Sequence, residues 1–413
     1  MKKFFIMAML GVSTVATAAD LRAPFDFEST AVLPQGVRNP RIKDLVIYMD
    51  EKFGGNGGVE ALGQKLNKTV SWRDVIDGQD DATLKALTQG KVQQLGYGLD
   101  DSAGSTTGVV NTYVNVKVPV IAAGITDKLT LAVAVPVVTI QVNADMGLNK
   151  SSQGDGMIAS VCESDPDKCQ DSANKLNNAA NTKATRLGYN PIQSYTKTAI
   201  GDIKAVAKYQ FWTNDINGLA LKGEVTVPTG TPPNADNALD TPTGDGAANL
   251  GATLVYDHYL DQHKSTRANV YGGYTVELPD HLDRRLPVSD TDSLSSDKEL
   301  LARKRGDLIS AGASVSYEFP FGLNFGLGYG FQRLAPTSYD GNQFAQYRYR
   351  LLEANTGEVL HSATLGVGFS TVEMYKNHQF KAPFQVNMSY CKPLAGINVV
   401  KNDFMAFELV LFF

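Results

Sequence analysis

From Gly108 to its last residue, the chain repeats segments of about 10 to 14 residues with apolar side chains at every second position. Period two belongs to strands and not to helices. The clearest case is Leu323–Phe331. Leu323, Phe325, Leu327, Tyr329 and Phe331 share one face, and Asn324, Gly326, Gly328 and Gly330 share the other. In a soluble sandwich the large face would fill a core. In a membrane barrel it faces lipid, and the small or polar residues face the lumen.

The same pattern places strands near 37–50, 108–119, 127–142, 199–212, 218–228, 247–260, 266–278, 307–319, 322–334, 358–371, 382–392 and 403–413. The first is the least regular, because Pro40 interrupts it. Twelve is an even number, and the connections alternate between short and long. Short periplasmic turns and long outer loops are the habit of bacterial outer-membrane barrels. The expected fold is all-β, a closed antiparallel transmembrane β-barrel of about twelve strands. Its final strand ends on Phe413, below Leu411, Leu409, Phe407 and Met405. An apolar strand at an open sheet edge invites aggregation, and barrel closure removes that edge. A terminal aromatic on such a stripe resembles the signal read by the barrel assembly machinery, which makes that machinery an expected partner.

The other features agree. No apolar run reaches the roughly 18 residues of a membrane helix, and mean hydropathy is -0.17. The apolar share of 43% is too high for disorder. A net charge of -5 argues against a nucleic-acid partner. Lys2 and Lys3, the apolar stretch after them and Ala16-Thr17-Ala18 read as a signal peptide over 1–18, with the barrel over 19–413. Export permits a disulfide between Cys162 and Cys169. No second cysteine pair or nearby His supports a metal there. Cys391 is left as a buried or lipid-facing thiol.

Residues 51–107 and 143–198 are too long for turns, so they are long loops or a partial plug. Asp81 can cap a helix that Gly90 ends, Ser71 can cap a shorter one, and a third helix is expected over 171–186. Pro136 breaks the third strand. Proline cannot donate to the ladder, so it marks a kink or a lateral gap in the wall. Trp212, Phe319, Phe321 and Tyr375 fall at strand ends, as an interfacial girdle would. The basic run Arg303-Lys304-Arg305 is either a lipopolysaccharide contact or a solvated face.

Strand parity turns Asp202, Lys204, Lys208, Lys222, Glu224, Asp257, Arg267, Asn269, Glu277 and Asn324 toward the lumen. Both signs are present, so strong ion selectivity is not expected. Barrels of eight strands are filled by side chains and those of 16 to 18 are open, so twelve implies a narrow passage. Five histidines occur. His258 and His361 face outward by parity, and His361 and Ser362 point to opposite faces. They do not form the base and nucleophile of a phospholipase-like enzyme. No phosphate loop, metal motif or cofactor site is present.

Gly201-Asp202 opens one strand, a second ends in Pro228-Thr229-Gly230, Gly244-Asp245-Gly246 opens a third, and a fourth carries Asn269 and Tyr274. This succession over roughly 108–280 resembles the "MetA-pathway of phenol degradation" outer-membrane family, and the Val135-Pro136 strand resembles that family's second strand. The resemblance implies an outer-membrane channel for passive diffusion of small organic solutes, often apolar or aromatic. The alternatives are a surface-recognition barrel acting through its outer loops and the phospholipase-like enzyme.

Overall fold

The computed structural model describes residues 27–79, 81–164, 179–289 and 294–413. Twelve antiparallel strands close into a barrel. They are β1 (Arg38–Phe53), β2 (Ser102–Thr126), β3 (Leu129–Ala134 and Val137–Lys150), β4 (Tyr195–Ile200 and Ile203–Thr213), β5 (Asn217–Val227) and β6 (Asn249–Tyr259). The second half comprises β7 (Thr266–Glu277), β8 (Leu308–Glu318), β9 (Leu323–Leu334), β10 (Glu358–Ser370), β11 (Phe384–Ile397) and β12 (Val400–Leu411). β1 closes the cylinder by pairing with β2 on one side (Leu45↔Val116) and with β12 on the other (Leu45↔Ala406). Pro40 is tolerated because its ladder partner is on β2 alone, the β12 register starting at Arg41. The backbone ring is sealed where Arg38 and Phe413 exchange both backbone hydrogen bonds, at 2.9 and 3.0 Å.

Both chain ends of the barrel lie with the short turns at 127–128, 214–216, 260–265 and 319–322, which defines the periplasmic rim. Trp212, Phe321 and Tyr375 are exposed at this rim. Phe319 stacks among Tyr317, Phe321 and Phe325, with ring centroids 4.7 to 6.1 Å apart.

Several boundaries differ from the sequence reading. β2 is 25 residues long, beyond the about 9–11 that cross a bilayer. Above Met49↔Thr112 it leaves β1, and Gly104–Asn111 pair with Asn143–Lys150 as a ribbon. Part of the long polar segment is therefore strand, the two arms of a ribbon that leaves the barrel wall. At 393–402 the β11–β12 ladder stops at Cys391↔Phe404, each strand runs on against its other neighbour to Ile397 and from Val400, and Asn398 turns the chain between them with φ +53°.

The ribbon carries α1 (Trp72–Asp77), α2 (Ala82–Gln94) and α3 (Ser152–Ser164), packed on Trp72, Ile76, Val92, Ala103 and Met157. α1 begins with a capping box between Ser71 and Asp74. α2 runs through Gly90, and Asp81 accepts from the backbone N–H groups of Thr83 and Leu84 at 2.7 and 3.0 Å. Asp81→Ala should therefore loosen the start of α2, read as faster amide exchange confined to that helix. Cys162 lies in α3 and is disulfide-bonded. Cys169, the start of the expected third helix and residues 1–18 lie outside the described residues; Ala179–Arg186 is helical and forms α4. Cys391 is buried.

A second outer sheet pairs Asp280–Arg285 with Lys298–Lys304, and the latter with Ser338–Asp340. It packs on helix α5 (Gln346–Glu353) around Leu286, Leu301, Tyr349 and Leu352. Asp236 ties this sheet to the loop beneath it by bonds from Arg285 at 2.7 Å and Lys298 at 3.0 Å. Burial alone would raise the Asp236 carboxyl, but the hydrogen bonds and charges of Lys298 and Arg285 outweigh it and hold it below its ordinary value. A depressed carboxyl stabilises above its unfolded pKa of about 3.9 and loses that effect as pH falls through the folded value. Proteolysis of the outer sheet should accordingly accelerate below about pH 4 and not between pH 6 and 8. Arg303, Lys304 and Arg305 do not form a lipid-facing cluster. Arg303 is held by Asp280 and the Asp245 carbonyl, Lys304 by Asp307 and Arg305 by Asp245.

Candidate functional site

Inside the barrel the walls are of two kinds. The inward faces of β1, β2 and β3 carry Leu45, Ile47, Val114, Val116, Val138 and Ile140, all buried. The inward faces of β4 to β7 carry the charges. Lys204, Lys208, Lys222, Asp257, Asn269, Glu277 and Asn324 are buried, and Asp202, Glu224 and Arg267 are half-buried. Nine of them lie on the face of their strands opposite the exposed apolar residues, and Asp202 sits between the two segments of β4. The valine stripe of β2 was not among the lumen residues read from sequence. Polar character marks the lumen on most strands, but on β2 Asn115 and Lys117 face outward and the valines face in. The Val-Asn-Val-Lys-Val-Pro-Val run carries only the alternation, which does not say which face is wet.

The main feature missed in the sequence is a strap. Residues 27–36 precede β1, turn back into the barrel and fill its periplasmic half. Gln35 N–H donates to Asp127 at 2.9 Å and Leu33 N–H to Thr130 at 2.7 Å. Higher up, both the N–H and the hydroxyl of Thr30 donate to Asp257 at 2.8 Å. Lys208 donates to the Ser29 carbonyl at 2.9 Å, and Glu28 pairs with Lys222 at 2.6 Å. Lys222 also meets Glu224 at 2.9 Å, and Glu224 meets Lys204 at 3.2 Å. Several of the predicted lumen charges therefore serve first to hold the strap. No periodic signal marks a segment whose long-range hydrogen bonds go to the barrel wall and not to a ladder of its own.

Above the strap lies a cavity of about 50 Å³. Its apolar side is Ile47, Val114, Val116, Val138 and Ile140, and its polar side includes Lys204, Thr226 and Asn249. A cavity that takes benzene measures about 150 Å³, so this one admits water and not a ring until something moves. The loop 229–245 roofs it. Asp202 clamps that loop by accepting from the Gly230 N–H at 2.9 Å and the Asp245 N–H at 3.2 Å. Removing Asp245 would take from the buried Arg305 its nearest partner, leaving Glu277 and Glu358, and breaking a buried pair in this way costs about 3–5 kcal/mol.

The barrel wall is broken beside this cavity. The ladder between β3 and β4 stops at Ala134↔Lys204 and restarts at Val137↔Ile200. Pro136 and Gly201-Asp202 occupy the break, bridged by one bond from the Gly201 N–H to the Pro136 carbonyl at 2.8 Å.

The histidines sit apart from the lumen. His258 contacts Asn217 at 2.8 Å and His361 the Tyr329 hydroxyl at 2.6 Å. Both share the outward face of their strands with lipid-facing residues, His258 with Leu250 and Leu254 and His361 with Leu365 and Phe369. Among the described residues, no group of three or more His, Cys, Asp or Glu could hold a metal.

No protein-family model matches this sequence, and no curated protein matches it. Among solved structures the chain is similar to the COG4313 outer membrane channel from Pseudomonas putida F1, with a TM-score of 0.52 at 13% identity, over 93% of this chain and 98% of that one. The fold is that of an outer-membrane channel. The barrel belongs to the bacterial outer membrane, with its apolar band in contact with lipid. Similarity to the Ralstonia pickettii toluene transporter TbuX has a TM-score of 0.34 at 12% identity, over 92% and 90% of the two chains. For the Pseudomonas putida toluene transporter TodX the TM-score is 0.30 at 10% identity, over 100% and 94%.

Proposed function

We propose that the protein is a channel through which small organic solutes with an apolar or aromatic body cross the outer membrane passively. The observation that carries this reading is the half-apolar luminal cavity, closed below by a strap and set against a break in the barrel wall. A general porin would keep a polar, water-filled lumen. Here one luminal wall is valine, leucine and isoleucine, which lowers the cost of an apolar solute relative to a sugar. The Pro136 break supports a lateral exit from the cavity toward the bilayer. Kinship with the MetA-pathway family, export by the signal peptide and insertion through Phe413 belong to the same reading. Phe413 is 75% exposed, so its ring is available to the assembly machinery.

The test is entry into cells whose cytoplasm oxidises toluene, at concentrations where entry limits the rate. Expression of the channel should raise toluene oxidation severalfold and leave uptake of a disaccharide unchanged. Equal gains for both would make it a general porin, and no gain for either would remove the channel reading.

A further inference from the structure

The strap does more than fill space at its upper end. Its anchors lie on β4, β5 and β6, but Phe27 crosses the lumen to β9. A Cβ built on Gly328 would lie 2.9 Å from Cδ1 and 3.2 Å from Cζ of Phe27, so the ring rests directly on the glycine backbone. No other residue type at 328 leaves room for it. One strand away, Tyr271 is set in the same manner. A Cβ on Gly312 would meet its Cζ at 2.7 Å, and one on Gly330 its hydroxyl at 3.8 Å. The inner face of β8 and β9 is thus shaped to receive flat rings edge-on to glycine.

The glycine row continues from Gly328 down β9 through Gly326 to Asn324, about 13 Å at strand rise. Asn324 is 2% exposed, and both its Nδ2 and its Oδ1 have no hydrogen-bond partner. Its amide reaches across to Gly368, where a Cβ would crowd it. A buried amide with donor and acceptor both unmet costs roughly 1–3 kcal/mol per group, which a polar substituent or water in the groove would recover.

We propose that Gly328 and its neighbours form a seat for a single planar aromatic ring, that Phe27 is its resident occupant, and that an arriving solute competes with the strap for it. This rests on the channel reading and adds to it a place, a ligand shape and a reason for the strap to leave. The strap's apolar hold on β9 is a ring on glycine, which another ring can replace. Its ionic hold on Lys222 remains available for reclosure.

The experiment is a titration of the full mature protein in lipid nanodiscs with 4-fluorobenzyl alcohol, followed by fluorine NMR. Phe27→Ala removes the competitor, and its Kd should tighten at least about tenfold over wild type, because the seat is no longer mostly occupied. Adding Gly328→Val should abolish that gain. Gly272→Val, where an added Cβ meets open space on the lipid side, should leave it intact. The non-aromatic 4,4-difluorocyclohexylmethanol should gain nothing from Phe27→Ala. If Gly328→Val does not fold, Phe27→Trp serves instead: its emission should shift to the red as the added alcohol expels the indole. An unchanged Kd in Phe27→Ala, or an emission maximum that ignores the alcohol, overturns the seat. Either result leaves the cell-entry test of the channel untouched, so the two ideas fail separately.

Discussion

Deleting residues 19–34 from the mature chain should convert a nearly closed barrel into an open one. In planar bilayers the truncated protein should show steady ionic steps severalfold larger than wild type. The strap supplies none of the ladder that closes the cylinder, since β1 pairs with β2 and β12 from Arg38 onward. The barrel should therefore keep its heat-modifiable migration on gels. What changes is the lumen. Lys222 loses Glu28, Lys208 loses the Ser29 carbonyl, and Asp257 loses the two donors of Thr30. Lys222 keeps Glu224 and Asp257 keeps Asn269, but each buried charge loses part of its compensation, which is costly in a dry site. They avoid this only if water enters, which is the conducting state. Equal conductance with and without the strap would mean that the passage is blocked elsewhere, at the 229–245 roof.

The second large effect is expected at the break in the wall. Pro136→Val restores an N–H to β3. Gly201→Val adds a side chain whose Cβ already sits 3.0 Å from Pro136 Cγ and 3.2 Å from Val138 Cγ2. Together they should seal the space between β3 and β4. If apolar solutes leave the cavity sideways, the double variant loses their entry while the strap-deleted form keeps its ionic steps. Toluene entry equal to wild type would show that the path is axial and that Pro136 is only a kink. The design separates two routes that a single uptake rate would merge.

The barrel was legible in the sequence because lipid enforces alternation on each strand. Leu219, Leu221, Val225 and Val227 on β5, or Met405 to Leu411 on β12, form the stripes a lipid-facing wall requires. The breaks were half legible. Pro136 announces itself, but Gly201 is one glycine among 38, and only the register shows that the two face each other. Most of the charges read as lumen-facing are buried, yet their use was not readable. Lys222 and Asp257 look like channel lining, and each takes a partner from the strap about 190 to 230 positions away in the chain. The apolar wall of β2 was hidden for a different reason. When both faces of a strand are apolar in part, alternation fixes the period and not the direction. The outer sheet built from 280–285, 298–304 and 338–340 escaped because its strands are three to seven residues long and carry mixed charge.

The central claim is that solute passes through the lumen by displacing the strap, and a reversible lock tests it most directly. A Cβ on Gly218 would lie 3.1 Å from the Thr30 Cβ, close to the roughly 3.5–4.5 Å that a disulfide spans. The pair Thr30→Cys and Gly218→Cys should therefore tie the strap to β5 when oxidised. Toluene entry into cells carrying this variant should fall to the level of cells without the channel, and return to the wild-type rate after mild reduction. Entry that proceeds at the wild-type rate with the strap locked would contradict the account, because the solute would then be crossing by a route the strap does not close.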